Sequence, residues 1–438
     1  MIAYKRYLTA TLLCFISTFV FSQLKNKPEL NGQFMDMGFG IFIHWSLDSQ
    51  LGSVISHSLV GASEDYVQRY MEELPKTFYP KDFDPDEWAR LFKLTGAEYV
   101  VFTTKHHNGF CMWDTETTDF NIMNTPYGKD ITGMLVKSLR KYGLKVGFYF
   151  SPEDFSFLHK QGHVISRKGE MTQITKNKAL FEYDKRQVKE LVTKYAPIDV
   201  MFFDAFSTHP MAQYVHSLDP NIVVTRGEMS TPEQKIPGGA QPGPWETCMT
   251  MGTQWAYKPT NEVYKSGEEL VNKLIEIRAK GGNFLMNVGP KPNGEIPIEE
   301  EERLREIALW MFVNNEGVKK VRTVPTQIKD GDIWFTKAKD ENTAYAFITN
   351  QPEWFKGKRR LFYIHNLKTT KDTEISILGQ NDLIVEYSPN NLPESRFKQQ
   401  DHNVEISITR AQRVYNNKIW HNAIVVKLTH VEFIDKQD

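Results

Sequence analysis

The sequence predicts an α/β chain: a (β/α)8-like, TIM-type catalytic barrel over residues 23–320, followed by a C-terminal antiparallel β-sandwich over 321–438. Three observations carry that expectation. Six apolar stretches each stop abruptly at a polar side chain, stretches of helical periodicity lie between them, and beyond about Val318 the pattern turns to short strands with polar connections. A continuous apolar run marks a strand buried on both faces, as in a parallel sheet. In a parallel barrel the C-terminal strand ends are where reactive groups collect.

Residues 1–22 read as a secretion signal. Lys5 and Arg6 give a basic start, Leu8 to Phe21 is apolar, and Val20-Phe21-Ser22 offers a small residue before cleavage at Gln23. The apolar stretch is short for a membrane span and no second one follows. Cys14 lies inside that stretch rather than at its end, which argues against a lipid anchor. The mature chain is therefore expected in the periplasm or outside the cell, with no membrane anchor.

The strand-like stretches are 39–44, 99–107, 145–149, 199–204, 222–226 and 284–287; they end at His44, His106 and His107, Tyr149, Asp204, Arg226 and Asn287. Helical periodicity over 86–94 follows Pro85, a favourable first-turn residue. The stretch 132–142 gathers Met134, Leu135 and Leu139 on one side and stops at Gly143. Stretches 268–279 and 297–313 repeat the form. That alternation is the signature of a parallel sheet covered by helices. In the C-terminal part, strand candidates at 332–336, 343–349, 360–364, 373–378, 403–408 and 423–428 recur at the spacing of a sandwich.

A chain of 438 residues exceeds what one core usually supports, so a barrel plus a smaller domain is the natural partition. A net charge of −1 and a pI of about 6.9 leave no footprint for nucleic acid or an anionic membrane. Aromatic residues at 13% suit the stacking of sugar rings, and suit an aromatic core equally. Cleavage would leave Cys111 and Cys248; export permits a disulfide, but a barrel of this size does not require one.

Five motifs occur in order along the barrel: Phe39-Gly-Ile-Phe-Ile-His44-Trp45, Lys105-His106-His107-Asn108-Gly109-Phe110, Phe202-Phe203-Asp204, Trp245-Glu246-Thr247-Cys248 and Lys280-Gly281-Gly282-Asn283-Phe284-Leu285-Met286-Asn287-Val288-Gly289-Pro290. In these the chain resembles the α-L-fucosidases of glycoside hydrolase family 29, retaining enzymes with a catalytic barrel and a C-terminal β-sandwich. The resemblance spans the barrel, and the sandwich is carried by position. It implies an exo-acting α-L-fucosidase that removes terminal fucose from oligosaccharides or glycoconjugates by double displacement, with no cofactor and no metal.

The resemblance implies that Asp204 is the nucleophile. Glycoside hydrolysis needs one carboxylate that stays ionised to attack and a second carboxyl that arrives protonated. For the second, Glu233 in Ser230-Thr231-Pro232-Glu233-Gln234 matches a loop glutamate of one branch, and is expected to swing over the leaving group. Glu246 lies in the more recognisable motif, is expected at a strand end with a structural partner, and is the other candidate; Glu228 is a third. Glu233 is preferred. His44, His106 and His107 resemble the histidines that bind sugar hydroxyls, and imidazole suits this by offering one donor and one acceptor. Neighbours on a strand point to opposite faces, so His106 and His107 share a pocket only if the strand ends or kinks there, which Asn108-Gly109 permits.

By the same resemblance Glu64 contacts the sugar, Tyr149 bonds near the nucleophile, Arg226 contacts the substrate and Trp255 packs on the face that carries the C5 methyl. Two departures from the pattern stand out: Ala205 replaces the usual Gly and narrows the turn after Asp204, and Asp65 replaces a Trp. They keep α-L-galactosidase activity open, since a hydrophobic pocket rejects an added hydroxyl only weakly. A non-catalytic sugar-binding barrel is opposed by the retained carboxylates. A metal hydrolase built on His44, His106, His107 and Asp204 is opposed by the lack of i, i+4 spacing.

Overall fold

The computed structural model describes residues 25–385, 389–411 and 422–434. The expected signal segment 1–22 lies outside them. Seven parallel strands form one curled sheet: β1 (Phe39–Ile43), β2 (Tyr99–Lys105), β3 (Lys145–Phe150), β4 (Val200–Phe203), β5 (Val223–Val224), β6 (Glu246–Thr250) and β7 (Asn283–Val288). Their order is β5-β4-β3-β2-β1-β7-β6. Apart from Lys145, every residue in them is buried, which explains the near-continuous apolar runs. Phe42, Tyr99, Val101, Tyr149, Phe202, Cys248 and Leu285 fill the interior, while alternate residues such as Ile41, Val100 and Phe148 join the larger core beneath the helices.

Among the described residues no eighth regular strand closes the sheet between β5 and β6. Residues 229–235 take that place as an irregular segment tied to β6: the Glu246 amide donates to Ser230 O at 3.1 Å, the Cys248 amide to Pro232 O at 3.2 Å, and the Gln234 amide to Cys248 O at 2.9 Å. Pro232 has no N–H, so this segment cannot carry a full ladder. The strand β6 has the sequence Glu-Thr-Cys-Met-Thr and gives no apolar run by which to recognise it.

The helices are α1 (Pro28–Met37), α2 (Glu64–Glu72), α3 (Pro85–Leu94), α4 (Ile131–Lys141), α5 (Phe155–Lys160), α6 (Lys178–Lys194), α7 (His209–Leu218), α8 (Gly267–Ala279) and α9 (Ile298–Asn314). Helices α3, α4, α8 and α9 fall within one residue of the periodic stretches at each end. Asp84, Asp130 and Ser266 cap the first three, each accepting amide hydrogens of the first turn; such caps contribute about 1 kcal/mol each. Helix α1 seals the barrel floor, with Phe34 packed 5.6 Å from the Tyr99 ring and its carbonyl bonded to Asn283 Nδ2 at 2.7 Å.

The C-terminal strands are β8 (Val321–Thr323), β9 (Lys329–Asp330), β10 (Ile333–Ala338), β11 (Thr343–Ile348), β12 (Arg359–Ile364), β13 (Leu367–Thr369), β14 (Ile375–Ile377), β15 (Arg396–Gln400), β16 (Asn403–Thr409), β17 (Ile424–Thr429) and β18 (Val431–Phe433). They pair antiparallel in sheets β14-β17-β11-β10-β8, with β9 on β10, and β12-β16-β15, with a short β13-β18 pair. Phe335, Ala346, Val426, Ile364, Val404 and Ile406 make the core these sheets share. The opposite face of the larger sheet, with Tyr345, Phe347 and Val425, joins the barrel's core at Trp310 and Val318. Arg278 is wholly buried at that junction and bonds the carbonyls of Val318 and Met35 at 2.9 and 3.0 Å. Cys111 and Cys248 are both buried free thiols. Among the described residues no helix is long and apolar enough to cross a membrane.

Candidate active site

The C-terminal ends of the barrel strands bring Asp204, Tyr149, Arg226, His44, His106 and His107 together. Asp204 directly follows β4; the Tyr149 hydroxyl donates to its Oδ2 at 2.8 Å and Arg226 Nη1 donates to its Oδ1 at 2.7 Å. Burial alone would raise this carboxyl, but the Arg226 guanidinium foremost outweighs burial and holds it well below the usual carboxylate range. Asp204 is thus held ionised, with both oxygens aimed by donors.

Arg226 is itself fixed. Its guanidinium lies 4.6 Å from the Phe202 ring centroid, and its Nε donates to Thr231 Oγ1 at 3.1 Å. Its Nη2 donates to Glu233 Oε2 at 3.2 Å, so one guanidinium carries two carboxylates on neighbouring nitrogens. The backbone of Glu233, beside Pro232, makes a bridge to Cys248 of β6. It lies on the segment stitched to β6, where Thr247 Oγ1 also bonds the carbonyls of Pro232 and Lys235 at 3.0 and 2.8 Å.

The three histidines are buried, and burial pushes His44 down to about 4, His107 to about 3 and His106 well below its ordinary value, so all are neutral. Their tautomers follow from their partners. Asn287 gives its Nδ2 to the Trp255 carbonyl at 2.6 Å, so its Oδ1 faces His44 Nδ1 at 2.6 Å and His44 Nδ1 carries the proton. Ser151 Oγ spends its hydrogen on Glu153 O, so His107 Nδ1, 2.5 Å away, is the donor. His106 Nδ1 instead accepts the His107 amide at 2.9 Å, which leaves its Nε2 protonated. The free nitrogens are therefore an acceptor on His44, a donor on His106 and an acceptor on His107. His107 Nε2 stands 3.5 Å from Asp204 Oδ2 and has no hydrogen-bond partner among the described residues, so it is an acceptor available to a hydroxyl hydrogen of a bound sugar.

Both neighbouring histidines reach the pocket because β2 is irregular near its end and stops at Lys105, with a register shift between Thr103 and Lys105. Gly109 then turns with φ +86°, where an added Cβ would stand 2.2 Å from Asp154 Oδ1. Lys105 Nζ anchors this corner from below, bonded to Asp184, Gln187 and Asp154 at 2.9, 2.8 and 3.1 Å.

His106, His107 and Asp204 present potential ligand atoms within 4.8 Å of one another. The donor chemistry does not suit a metal: Nδ1 of His106 is taken by an amide and its Nε2 carries hydrogen.

The other residues singled out from the sequence are spread more widely. The Trp255 ring packs against His44, tilted by 35° with centroids 4.8 Å apart. Glu246 opens β6 rather than ending it; it is fully enclosed in the barrel, bonded by the Tyr99 hydroxyl, and burial pushes it up to about 7. Glu228 is committed to His216 at 2.9 Å and to the Asn26 amide at 2.7 Å. Glu64 opens α2 with its side chain 78% exposed, paired only with His159 at 3.3 Å among the described residues, and it is not brought to Asp204. Ala205 does not take the strained conformation of the turn; Ser207 does, with φ 60°.

Sequence reasoning passed over Glu153 and Arg167. Glu153 follows β3 closely and obeys the same strand-end rule that picked out Asp204, but Arg167 lies in an irregular stretch with no pattern to mark it. A groove of about 940 Å³ between α3 and α9 holds none of these side chains.

A family model described as "Alpha-L-fucosidase" matches residues 20–316. The chain is similar to the plasma alpha-L-fucosidase of Rattus norvegicus, at 29% identity over 423 residues, covering 85% of this chain and 88% of that one. Among solved structures it is similar to alpha-L-fucosidase isoenzyme 1 from Paenibacillus thiaminolyticus, with 26% identity, a TM-score of 0.74, and coverage of 92% and 99%. It is also similar to the Thermotoga maritima alpha-fucosidase in complex with a mechanism-based inhibitor, with 25% identity, a TM-score of 0.69, and coverage of 91% and 96%.

Proposed function

This chain belongs to the alpha-L-fucosidase family of glycoside hydrolases, and on that footing we propose that it is a retaining exo-α-L-fucosidase acting on terminal α-linked L-fucose of oligosaccharides or glycoconjugates. The observation that carries this reading is the Arg226 bridge between Asp204 and Glu233. Double displacement needs two carboxyls flanking one anomeric carbon, and here one guanidinium holds two carboxylates at one barrel mouth.

In this mechanism an Asp204 oxygen attacks the anomeric carbon while Glu233, having left Arg226 and taken up a proton as substrate binds, gives that proton to the departing glycosidic oxygen. Glu233 then takes a proton from water, whose oxygen displaces Asp204 and regenerates both groups. No cofactor enters either step. The sugar hydroxyl adjoining the anomeric carbon fits between His107 Nε2 and Asp204, where a hydrogen bond strengthens as positive charge develops on the ring. His106 and His44 offer a donor and an acceptor to the remaining hydroxyls. Trp255, against His44, offers an apolar ring for the C5 methyl face. The barrel over 23–320 would be the catalytic unit and 321–438 its sandwich. The leader at 1–22 supports export to the periplasm or beyond, and N-terminal sequencing of the secreted protein should begin at Gln23.

The test is hydrolysis of aryl α-L-fucoside and aryl α-L-galactoside side by side, with proton NMR of the first sugar released. The fucoside should be preferred and α-fucose should appear first. Initial release of the β-anomer, or preference for the galactoside, would sink this reading.

A further inference from the structure

The segment that carries Trp255 is almost untied from the barrel. Its base is pinned between β6 and α8: the Lys265 amide donates to Met251 O at 2.9 Å, and Lys265 Nζ donates to Thr250 O at 2.8 Å. Inside that base, residues 253–264 make no backbone–backbone hydrogen bond among the described residues. The segment is knotted on itself instead. Glu262 Oε1 accepts the Thr253 and Val263 amides at 2.7 and 2.8 Å, and Lys258 Nζ donates to Thr253 Oγ1 and Asn261 O at 3.1 and 2.8 Å. Its tip packs through Pro259 against Gly52. Among the described residues a single hydrogen bond joins 253–264 to the rest of the chain, from Asn287 Nδ2 to Trp255 O at 2.6 Å.

The same strand end supports the segment a second time. Gly289, just past β7, lies against the backbone of 255–257: a Cβ added there would stand 3.0 Å from Trp255 O, 2.9 Å from Ala256 C and 2.8 Å from Tyr257 N. Glycine suits such a close approach because it has no side chain. Gly289 is fixed from behind, its amide donating to both oxygens of Glu300, a buried carboxyl of α9, at 3.0 and 3.3 Å. A side chain at 289 would therefore displace the loosely tied segment rather than the strand end. The other arm of Asn287 accepts from His44 Nδ1, and the His44 ring packs against Trp255. One carboxamide thus orients both a sugar-binding imidazole and the apolar ring beside it.

We propose that Asn287 is the positioning residue for Trp255, with Gly289 as its support, and that this brace sets the preference for a methyl group at C5 of the sugar. This rests on the fucosidase reading above, in which Trp255 faces that methyl. The physical reason is contact: a gap of about 0.5–1 Å between ring and methyl already forfeits roughly a quarter to a half of their attraction.

The experiment compares aryl α-L-fucoside with aryl β-D-arabinopyranoside, the same ring without its C5 methyl. Hydroxyls and leaving group are shared, so the ratio of the two kcat/KM values reports the methyl. Wild type should favour the fucoside by at least about tenfold, and Trp255→Ala should remove most of that preference. Asn287→Ala should slow both substrates, because His44 loses its partner, and should also lower the ratio about fivefold. Gly289→Ala, which leaves the Asn287 side chain in place, should lower the ratio to a similar extent. In a Trp255→Ala background neither substitution should lower the ratio further, since residues acting through one ring are not additive. An unchanged ratio in Asn287→Ala would overturn the brace, as would full additivity with Trp255→Ala; should Asn287→Ala fail to fold, Gly289→Ala decides by the same two criteria. Wild type that cleaves both sugars equally would overturn it too, leaving the fucosidase reading intact. Wild type inert on both would remove the fucosidase reading itself.

Discussion

Asp204 owes its ionised state to Arg226 and its aim to Tyr149, so replacing it should remove chemistry without disturbing packing. Asp204→Gly is expected to lose at least about three orders of magnitude in kcat, and azide should restore turnover with inversion at the anomeric carbon. Near-normal activity in that variant would take Asp204 out of the mechanism. The acid is separable by leaving group, because an activated phenol departs with little protonation. Glu233→Ala should slow natural oligosaccharides far more than dinitrophenyl fucoside, with azide rescue and retained configuration. Glu246→Ala should slow both alike or misfold, since that carboxyl is walled in beside Tyr99; leaving-group dependence in Glu246→Ala alone would reverse the assignment. At this scale the sequence was most legible where a strand ended: His44, His106, His107, Tyr149, Asp204 and Arg226 could each be marked by an apolar run that stopped. Glu246 shows why the rest was not. Its motif is easy to recognise, but motif identity does not say whether a residue opens its strand or closes it.

Between the strands, function depends on how an irregular segment is held. Residues 229–235 stand where an eighth strand would be, and Thr247 Oγ1 ties them at two carbonyls. Thr247→Val should cost about 1 kcal/mol in denaturant unfolding, yet it should slow poor leaving groups disproportionately, because Glu233 loses its seat; equal slowing of all substrates would refute that link. Lys105→Met is the contrasting case: it strips the Lys105 cation from buried Asp154 and Asp184, and should destabilise by about 3–5 kcal/mol, read from the shift in the urea midpoint. Helices with strong 3.6-residue periodicity and clear caps were placed almost to the residue. The polar strand β6 and the six-residue α5 were not, being too polar or too short for periodicity to show.

Across the whole molecule, buried titratable groups set opposing pH limits. Burial pushes Asp48 up to about 6, Glu153 and Glu246 to about 7, and Glu300 to about 8. Raised carboxyls favour the fold while protonated, and their contribution is lost as pH climbs through those values. The lowered histidines act the other way: their contribution is present above about 6.5 and is lost as pH falls through about 4 and 3. Because the carboxyls' contribution starts to fall above their unfolded values near 4 and the histidines' starts to fall below 6.5, Tm should be highest between about pH 4 and 6.5. Glu246→Gln should be more stable than wild type at pH 8, by up to about 3 kcal/mol, with the difference shrinking as pH falls and vanishing below about pH 4, under the carboxyl's unfolded value of 4.5; a gap independent of pH would show that ionisation of the buried carboxyl is not its cause. The two-part architecture was legible because the sequence pattern itself changes, whereas the seal between the parts was not, since Arg278 and Trp310 look like ordinary helix residues. The barrel floor has one more consequence. Asn26 pairs with the backbone of Val224, 198 positions away, and α1 is held by Asn283, 249 positions beyond Phe34. These residues thus wait for partners made much later, so the nascent chain travels with its foundation stone unset until the last barrel strand has been made.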